Sequence, residues 1–153
     1  MRAKYQVLII PFRKEKDNVK FGIFKREDMN IYQAISGGGE DGETILETAK
    51  REFYEETGLK KEKFIKLDSI CTIPAYIFKA KADWEDKTYV VPEYAFGIEL
   101  TKNDKIILSN EHKSYKFIDY ESALKKLKFD SNKTAIYELN ERIKKGDCNG
   151  YLE

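Results

Sequence analysis

Hydrophobic positions along the chain fall into two periods that change over at a glycine-rich stretch. Residues 4–12 (KYQVLIIPF) are almost continuously apolar and rich in β-branched and aromatic types. That pattern predicts a buried strand, with Pro11 near its end. Residues 14–18 are polar and predict a turn, and residues 19–25 (VKFGIFK) alternate as the returning strand of a hairpin would. Beyond Gly37-Gly38-Gly39 the period becomes helical: Leu46, Ala49 and Phe53 share an arc of a helix predicted over roughly Glu43 to Thr57. Thr44 or Asp41 can cap its start, Gly58 can end it, and Lys60 and Lys61 lie where the negative helix end favours cations.

Strand character returns from Phe64 to Phe78, interrupted by Pro74, and again from Thr88 to Leu100, where Pro92 implies a bulge or an edge. Between them, residues 80–87 (AKADWEDK) form a charged connection that holds the lone Trp84, either a surface or edge residue or a platform for a base. Lys102 to Asp104 predicts a turn and Ile106 to Leu108 a short apolar segment. Glu111 to Ile118 begins as a loop and becomes a strand. Ala123, Leu124 and Leu127 mark a short helix; Ala135, Ile136, Leu139 and Ile143 mark a second, with Ser131 placed to cap it and Gly146 to end it. Mixed strands with one central helix and helices at the C-terminal end predict the α/β class, arranged as a sandwich.

Composition narrows the function more than the fold. A chain of 153 residues suits one domain over 1–153, with residues 146–153 expected as a loosely held tail. Lysine plus arginine (28) nearly balance aspartate plus glutamate (27), so bulk charge steers the molecule to neither nucleic acid nor membrane. No basic stripe with interleaved aromatics appears either. Cys71 and Cys148 form no metal-ligand spacing and no disulfide framework, and the apolar run at residues 7–10 is too short to cross a bilayer. The expectation is a cytoplasmic protein whose phosphate binding, if any, is local.

The chemistry concentrates in Arg51-Glu52-Phe53-Tyr54-Glu55-Glu56. Carboxylates at 52, 55 and 56 are spaced i, i+3, i+4 and fall on one side of a helix. Like charges so placed destabilise a bare helix by about 0.2–0.5 kcal/mol per pair, and a divalent cation is the simplest compensation. Mg²⁺ or Mn²⁺ takes hard oxygen ligands, commonly one or two carboxylates plus substrate phosphates. Four residues separate Arg51 from Glu55, so the guanidinium can hold that carboxylate in place; Glu43 is a second possible partner.

Gly37, five residues, Glu43, seven residues, then Arg51-Glu52-Phe53-x-Glu55-Glu56-x-Gly58-Leu59 resembles the signature of the Nudix hydrolase family at every defined position. Phe53 departs mildly, because the family more often carries an aliphatic residue there. The resemblance implies an α/β/α sandwich with a mixed sheet and the signature helix at its centre. It also implies metal-dependent hydrolysis of a nucleoside diphosphate linked to another group. Carried over residue by residue, Glu52 and Glu56 are metal ligands, Glu55 is a further ligand or the base, and the Gly37 carbonyl can complete the coordination. Arg51 orients, and Glu43 and Gly58 are structural. Basic residues in the position of Lys25 and Arg26 often reach substrate phosphates in related hydrolases, although two exposed strand-end cations would read the same; Ser36 and Gly38 are further candidates for substrate contact. Tyr32-Gln33 matches an aromatic-Gln pair that often enters the signature.

Glu111-His112, followed by Tyr115-Lys116-Phe117, resembles a stretch of the bacterial dATP and dihydroneopterin triphosphate pyrophosphohydrolases in which the glutamate faces the metals. Glu111 is therefore a candidate ligand or general base, and His112 either a participant or a packing residue. Ser131-Asn132 before Ala135-Ile136 extends that similarity. The expected reaction releases pyrophosphate from a nucleoside or pterin triphosphate in a monomer or homodimer. The alternatives are a dinucleoside polyphosphate or nucleotide-sugar hydrolase, or a non-catalytic module that binds a nucleotide. Pro74 and Tyr76 point to different substrates within the family, and Tyr32, Tyr76, Trp84 and Phe129 are all able to stack on a ring or simply to pack.

Overall fold

A computed structural model describes residues 1–84 and 87–148. Residues 149–153, which make up most of the expected tail, lie outside the described residues. The long apolar run becomes β1 (Arg2–Glu15), which turns at residues 16–17 into β2 (Asn18–Arg26). A brief β3 (Tyr32–Gln33) leads into β4 (Ile35–Glu40), the strand that carries the three consecutive glycines. Then come α1 (Ile45–Thr57), β5 (Ile65–Pro74), β6 (Val90–Leu100) and β7 (His112–Ile118). The chain ends in α2 (Tyr120–Lys126) and α3 (Asp130–Lys145).

The strands join in one mixed sheet whose path is β3-β2-β1-β6-β5, with β4 also pairing β1 and β7 pairing β2. β1 runs parallel to β6 from Gln6–Glu93 to Arg13–Leu100. Its other edge is shared, with β4 antiparallel along its first half and β2 along its last residues. Side chains alternate across β1 as strand geometry requires. Leu8, Ile10 and Phe12 join a core with Ala135, Ile136 and Leu139 of α3, whereas Val7 and Ile9 join a second core with Ala49 and Phe53 of α1. Helices thus cover both faces, and the architecture is the α/β/α sandwich read from the sequence.

Several local readings change. The strand expected to reach Phe78 stops at Pro74, because the facing strand begins only at Val90 and leaves residues 75–78 no ladder to join. Two short 3₁₀ turns, Ala75–Ile77 and Lys79–Asp83, follow instead. Trp84 serves neither as a surface residue nor as a base platform: it is 7% exposed, packs with Ala75, Val91 and Phe78, and donates Nε1–H to the Arg2 carbonyl at 3.1 Å. Ser131 does not cap α3, whose N-cap is Phe129 without a side-chain bond; the serine hydroxyl accepts from Asn132 instead. Pro92 sits one residue before the β1 register begins, where β6 pairs only with β5 and its missing N–H costs no ladder bond.

Candidate active site

The signature helix is fixed at both ends by its own sequence. Thr44, not Asp41, is the N-cap: its hydroxyl accepts from the Glu47 N–H while Glu47 accepts from the Thr44 N–H, a reciprocal capping box. Gly58 closes the helix in the left-handed conformation (φ 74°), where a side chain would be strained. Its last carbonyls are then used to recruit a distant loop. Ile107 N–H donates to the Thr57 carbonyl at 2.9 Å and Ser109 N–H to that of Glu56 at 3.3 Å. The short apolar segment seen in the sequence therefore hangs on the end of α1, with Ile106 buried in the core, and it delivers Ser109 and Glu111 to the acidic residues.

Arg51 organises the exposed side of this cluster. Its Nε and Nη2 donate to the two oxygens of Glu43 at 2.7 and 3.0 Å, and Nη2 also reaches the Gly38 carbonyl at 2.9 Å. Nη1 reaches Glu52 at 2.9 Å and Glu55 at 2.8 Å. Glu43 is the main partner and Glu55, at the i+4 position, the secondary one. The hydrogen bonds from Arg51 hold the Glu43 carboxyl down at about 2, and the carboxylates raise the guanidinium further above its already high value.

Glu52 is in a different situation. Burial pushes its carboxyl up to about 7; the bond from Arg51 works against this, and the charges of Glu55 and Glu56 add to the rise. It leans on Gly37, where any Cβ would collide with the Glu52 side chain, so glycine is required there for close approach. Glu56 is buried, accepting from the Ser109 hydroxyl at 2.6 Å and from His112 Nδ1 at 3.0 Å. Burial raises its pKa, but the bonds from His112, Ser109 and Glu111 outweigh that and leave it below the ordinary range. Glu111 moves the opposite way: the hydrogen bond to Glu56, then burial, then the Glu56 charge raise it. The two carboxyls are thus pushed apart, Glu56 down and Glu111 up.

The donors present suit a hard divalent cation. All are oxygens, they carry more negative charge than Arg51 cancels, and Glu52 is pushed toward neutrality by burial and by the charges of Glu55 and Glu56. Among the described residues no three His, Cys, Asp or Glu side chains gather on one point, because Arg51 engages Glu52 and Glu55 while Ser109 and His112 hold Glu56. Glu52 bonds Arg51 through Oε1 alone, which leaves its other oxygen for an ion.

Beside Glu111 opens a cavity of 370 Å³ lined by Arg26, Gln33, Ser36, Asn110 and His112 among others. A second, of 330 Å³, adjoins it through Arg26, Gln33 and Ser36. Arg26 sits at a bulge between β2 and β7, opposite His112, and is held by Asp28 through bonds of 2.9 and 2.7 Å. Lys25 points elsewhere: its ammonium lies 5.8 Å from the Tyr32 ring centre, and it lines neither cavity. Gly38 contributes its carbonyl to Arg51 and packs against the Arg2 guanidinium. Of the aromatic candidates, Phe129 lines the second cavity, Tyr32 packs against the α3-side core, and Tyr76 is 80% exposed.

Sequence reasoning missed Ser109 and underweighted His112. Nothing in the local pattern marks Ser109, whose role arises only because its loop is pinned to the helix end. Asn132, noted in the sequence only as part of the resemblance, is buried at the start of α3, where its Oδ1 accepts from the Ala34 N–H at 2.8 Å and so ties the helix to the entry of β4.

The sequence matches the NUDIX domain model over residues 4–139. No curated protein sequence matches it. Among solved structures, a protein from Listeria monocytogenes described as a NUDIX hydrolase shares 45% identity over 98% of this chain and all of its own, with a TM-score of 0.87. The Escherichia coli dihydroneopterin triphosphate pyrophosphohydrolase (22% identity, 91% of this chain and 97% of its own, TM-score 0.72) is similar in fold. So is a Caenorhabditis elegans Ap4A hydrolase (19%, 94% and 99%, TM-score 0.72).

Proposed function

The chain belongs to the NUDIX domain family and is a pyrophosphohydrolase of that kind, and we propose that it converts a nucleoside or pterin triphosphate to the monophosphate and pyrophosphate. The observation that carries this reading is the acidic ridge Glu52-Glu55-Glu56, joined by Glu111 from a loop hung on the same helix, with Glu111 and Arg26 both lining one cavity.

Enzymes of the family use divalent ions; Mg²⁺ or Mn²⁺ held by Glu52, Glu56, Glu55, Glu111 and the Gly37 carbonyl would supply positive charge against the phosphate oxygens and lower the pKa of a bound water. Arg51 fixes where Glu52 and Glu55 stand, and its own position is set by Glu43. Ser109 and His112 hold Glu56 ionised and in one rotamer. Glu111 lies against Glu56, whose hydrogen bond raises its pKa; in its ionised form it would take a proton from the attacking water, a role that exposed Glu55 can also fill. Arg26 and the Ser36 hydroxyl are the donors nearest the expected phosphate path, with Gln33 beside them. Lys25 and Gly38, proposed as substrate contacts from the resemblance, receive no support from their placement. The substrate is a small molecule, with neither nucleic acid nor a membrane involved. No described helix is long and apolar enough to cross a bilayer, and we place the enzyme in the cytoplasm as a monomer or homodimer.

A product assay with Mg²⁺ and Mn²⁺ tests the reading. The expected result is pyrophosphate plus monophosphate from a triphosphate. Two nucleotides from a dinucleoside polyphosphate, or two monophosphates from ADP-ribose, with triphosphates untouched, would replace it by the corresponding sister activity.

A further inference from the structure

The face of the sheet that α3 covers is not apolar throughout. Leu8, Ile10 and Phe12 of β1 and Ala95 of β6 belong to that core, and Gly97 lies against Leu139. Strand alternation puts Gln6 and Glu93 in phase with them, and the two are register partners across the β1–β6 ladder. Gln6 Nε2 donates to Glu93 Oε2 at 2.7 Å, while Arg2 donates to the Gln6 amide oxygen at 3.0 Å. The thiol of Cys71 lies 3.5 Å from the other carboxylate oxygen. Glu93 is only 5% exposed, and among the described residues no cation pairs with it. Burial raises its pKa, and the bonds from Gln6, Cys71 and Ser131 only partly offset this. A buried carboxyl on these terms is costly, and local rules broken in this way tend to mark sites.

Its surroundings fit a flat heterocycle. Glu93 lines the 330 Å³ cavity that continues from the phosphate end of the cleft, a size within the range of small-molecule sites. Ile73, Ile77, Phe78 and Phe129 supply apolar lining. A carboxylate offers about four acceptor positions; Gln6 and Cys71 use one on each oxygen, and the nearby Ser131 hydroxyl has to turn aside, as its bond from Asn132 allows, for a ligand to take the remaining one on each. Two adjacent acceptors match two adjacent N–H donors. Adenine and cytosine present a donor next to a ring-nitrogen acceptor, which would face the carboxylate lone pair to lone pair.

We propose that Glu93 is the specificity-determining residue for the ring of the substrate, accepting the paired N–H groups of a 2-amino-4-oxopyrimidine edge, the edge shared by guanine and reduced pterins. The inference rests on the triphosphate reading for what is hydrolysed, but not for what is bound. Titration calorimetry with GMP, IMP, AMP and dihydroneopterin tests it without turnover. GMP or dihydroneopterin should bind at least about 10-fold more tightly than AMP, the scale of one hydrogen bond to a charged group. IMP, which lacks the 2-amino group, should lose most of that advantage. Glu93→Gln, checked for folding by circular dichroism and melting, should bring the preferred ligand and AMP within about threefold of each other, since an amide keeps only one acceptor. The tighter of GMP and dihydroneopterin identifies the source of the edge. Equal binding of GMP and IMP by the wild type, or an AMP preference (the pattern a protonated carboxyl would select), overturns the proposal even if the variant does not fold. Selective binding without pyrophosphate release would instead sink the triphosphate reading and leave Glu93 in its role.

Discussion

The acidic end of the cleft comes from a single run, Gly37 to Gly58, supplemented by one loop, whereas the opposite end takes its walls from segments scattered between Gln6 and Asn132. The difference follows from what each end handles. Positioning charge on phosphates requires several carboxylates at fixed spacing, which a helix supplies by its own period. Cradling a ring requires apolar walls on two sides, which only separate elements can furnish. The acidic end should therefore govern turnover on any substrate, and the scattered end the choice among substrates.

The strongest way to break this division is to neutralise the ridge. Glu52→Gln and Glu56→Gln should each lower kcat/KM by about 10²- to 10³-fold on every substrate tested, with melting behaviour retained. Full activity in both variants would remove the proposed metal site. Next in size, Arg51→Ala strips Glu43 of its main partner; urea unfolding should report a loss of about 2 kcal/mol along with reduced kcat. A smaller effect is expected at the recruited loop. Ser109→Ala removes one short bond to Glu56 and should cost about 5- to 10-fold in kcat/KM, without changing which substrate is preferred. At the other end, Phe129→Ala should raise KM about 3- to 10-fold with kcat nearly constant. A fall in kcat equal to that of Ser109→Ala would erase the distinction between the two ends.

The mildest effect is in pH, and it separates two carboxylates of the same cluster. Glu52, folded at about 7 and above its unfolded value, favours the folded state at low pH and loses that contribution as pH rises toward 7. Glu43, folded at about 2, does the reverse: its contribution is present above pH 4.5 and is lost as pH falls toward 2. Melting of the metal-free protein should therefore fall slightly between about pH 4.5 and 7. Glu52→Gln, or added Mg²⁺, should flatten that slope; if neither does, Glu52 is not the group responsible.

Spacing and composition alone determined the signature helix α1, its Gly58 stop, the hairpin of β1 and β2, the terminal helices and the sandwich class, because each depends on neighbours within one or two turns of chain. They also nominated Glu52, Glu55 and Glu56 as a set, since i, i+3, i+4 is a local relation. The tertiary structure alone decided that Ser109 and Glu111 meet Glu56, that Trp84 is buried, that β5 stops at Pro74 and that Gln6 and Glu93 face the same cavity. Those outcomes depend on which carbonyls a helix end leaves free and which strands lie side by side. Residues beyond each other's local reach acquire such relations only when the chain has closed its core.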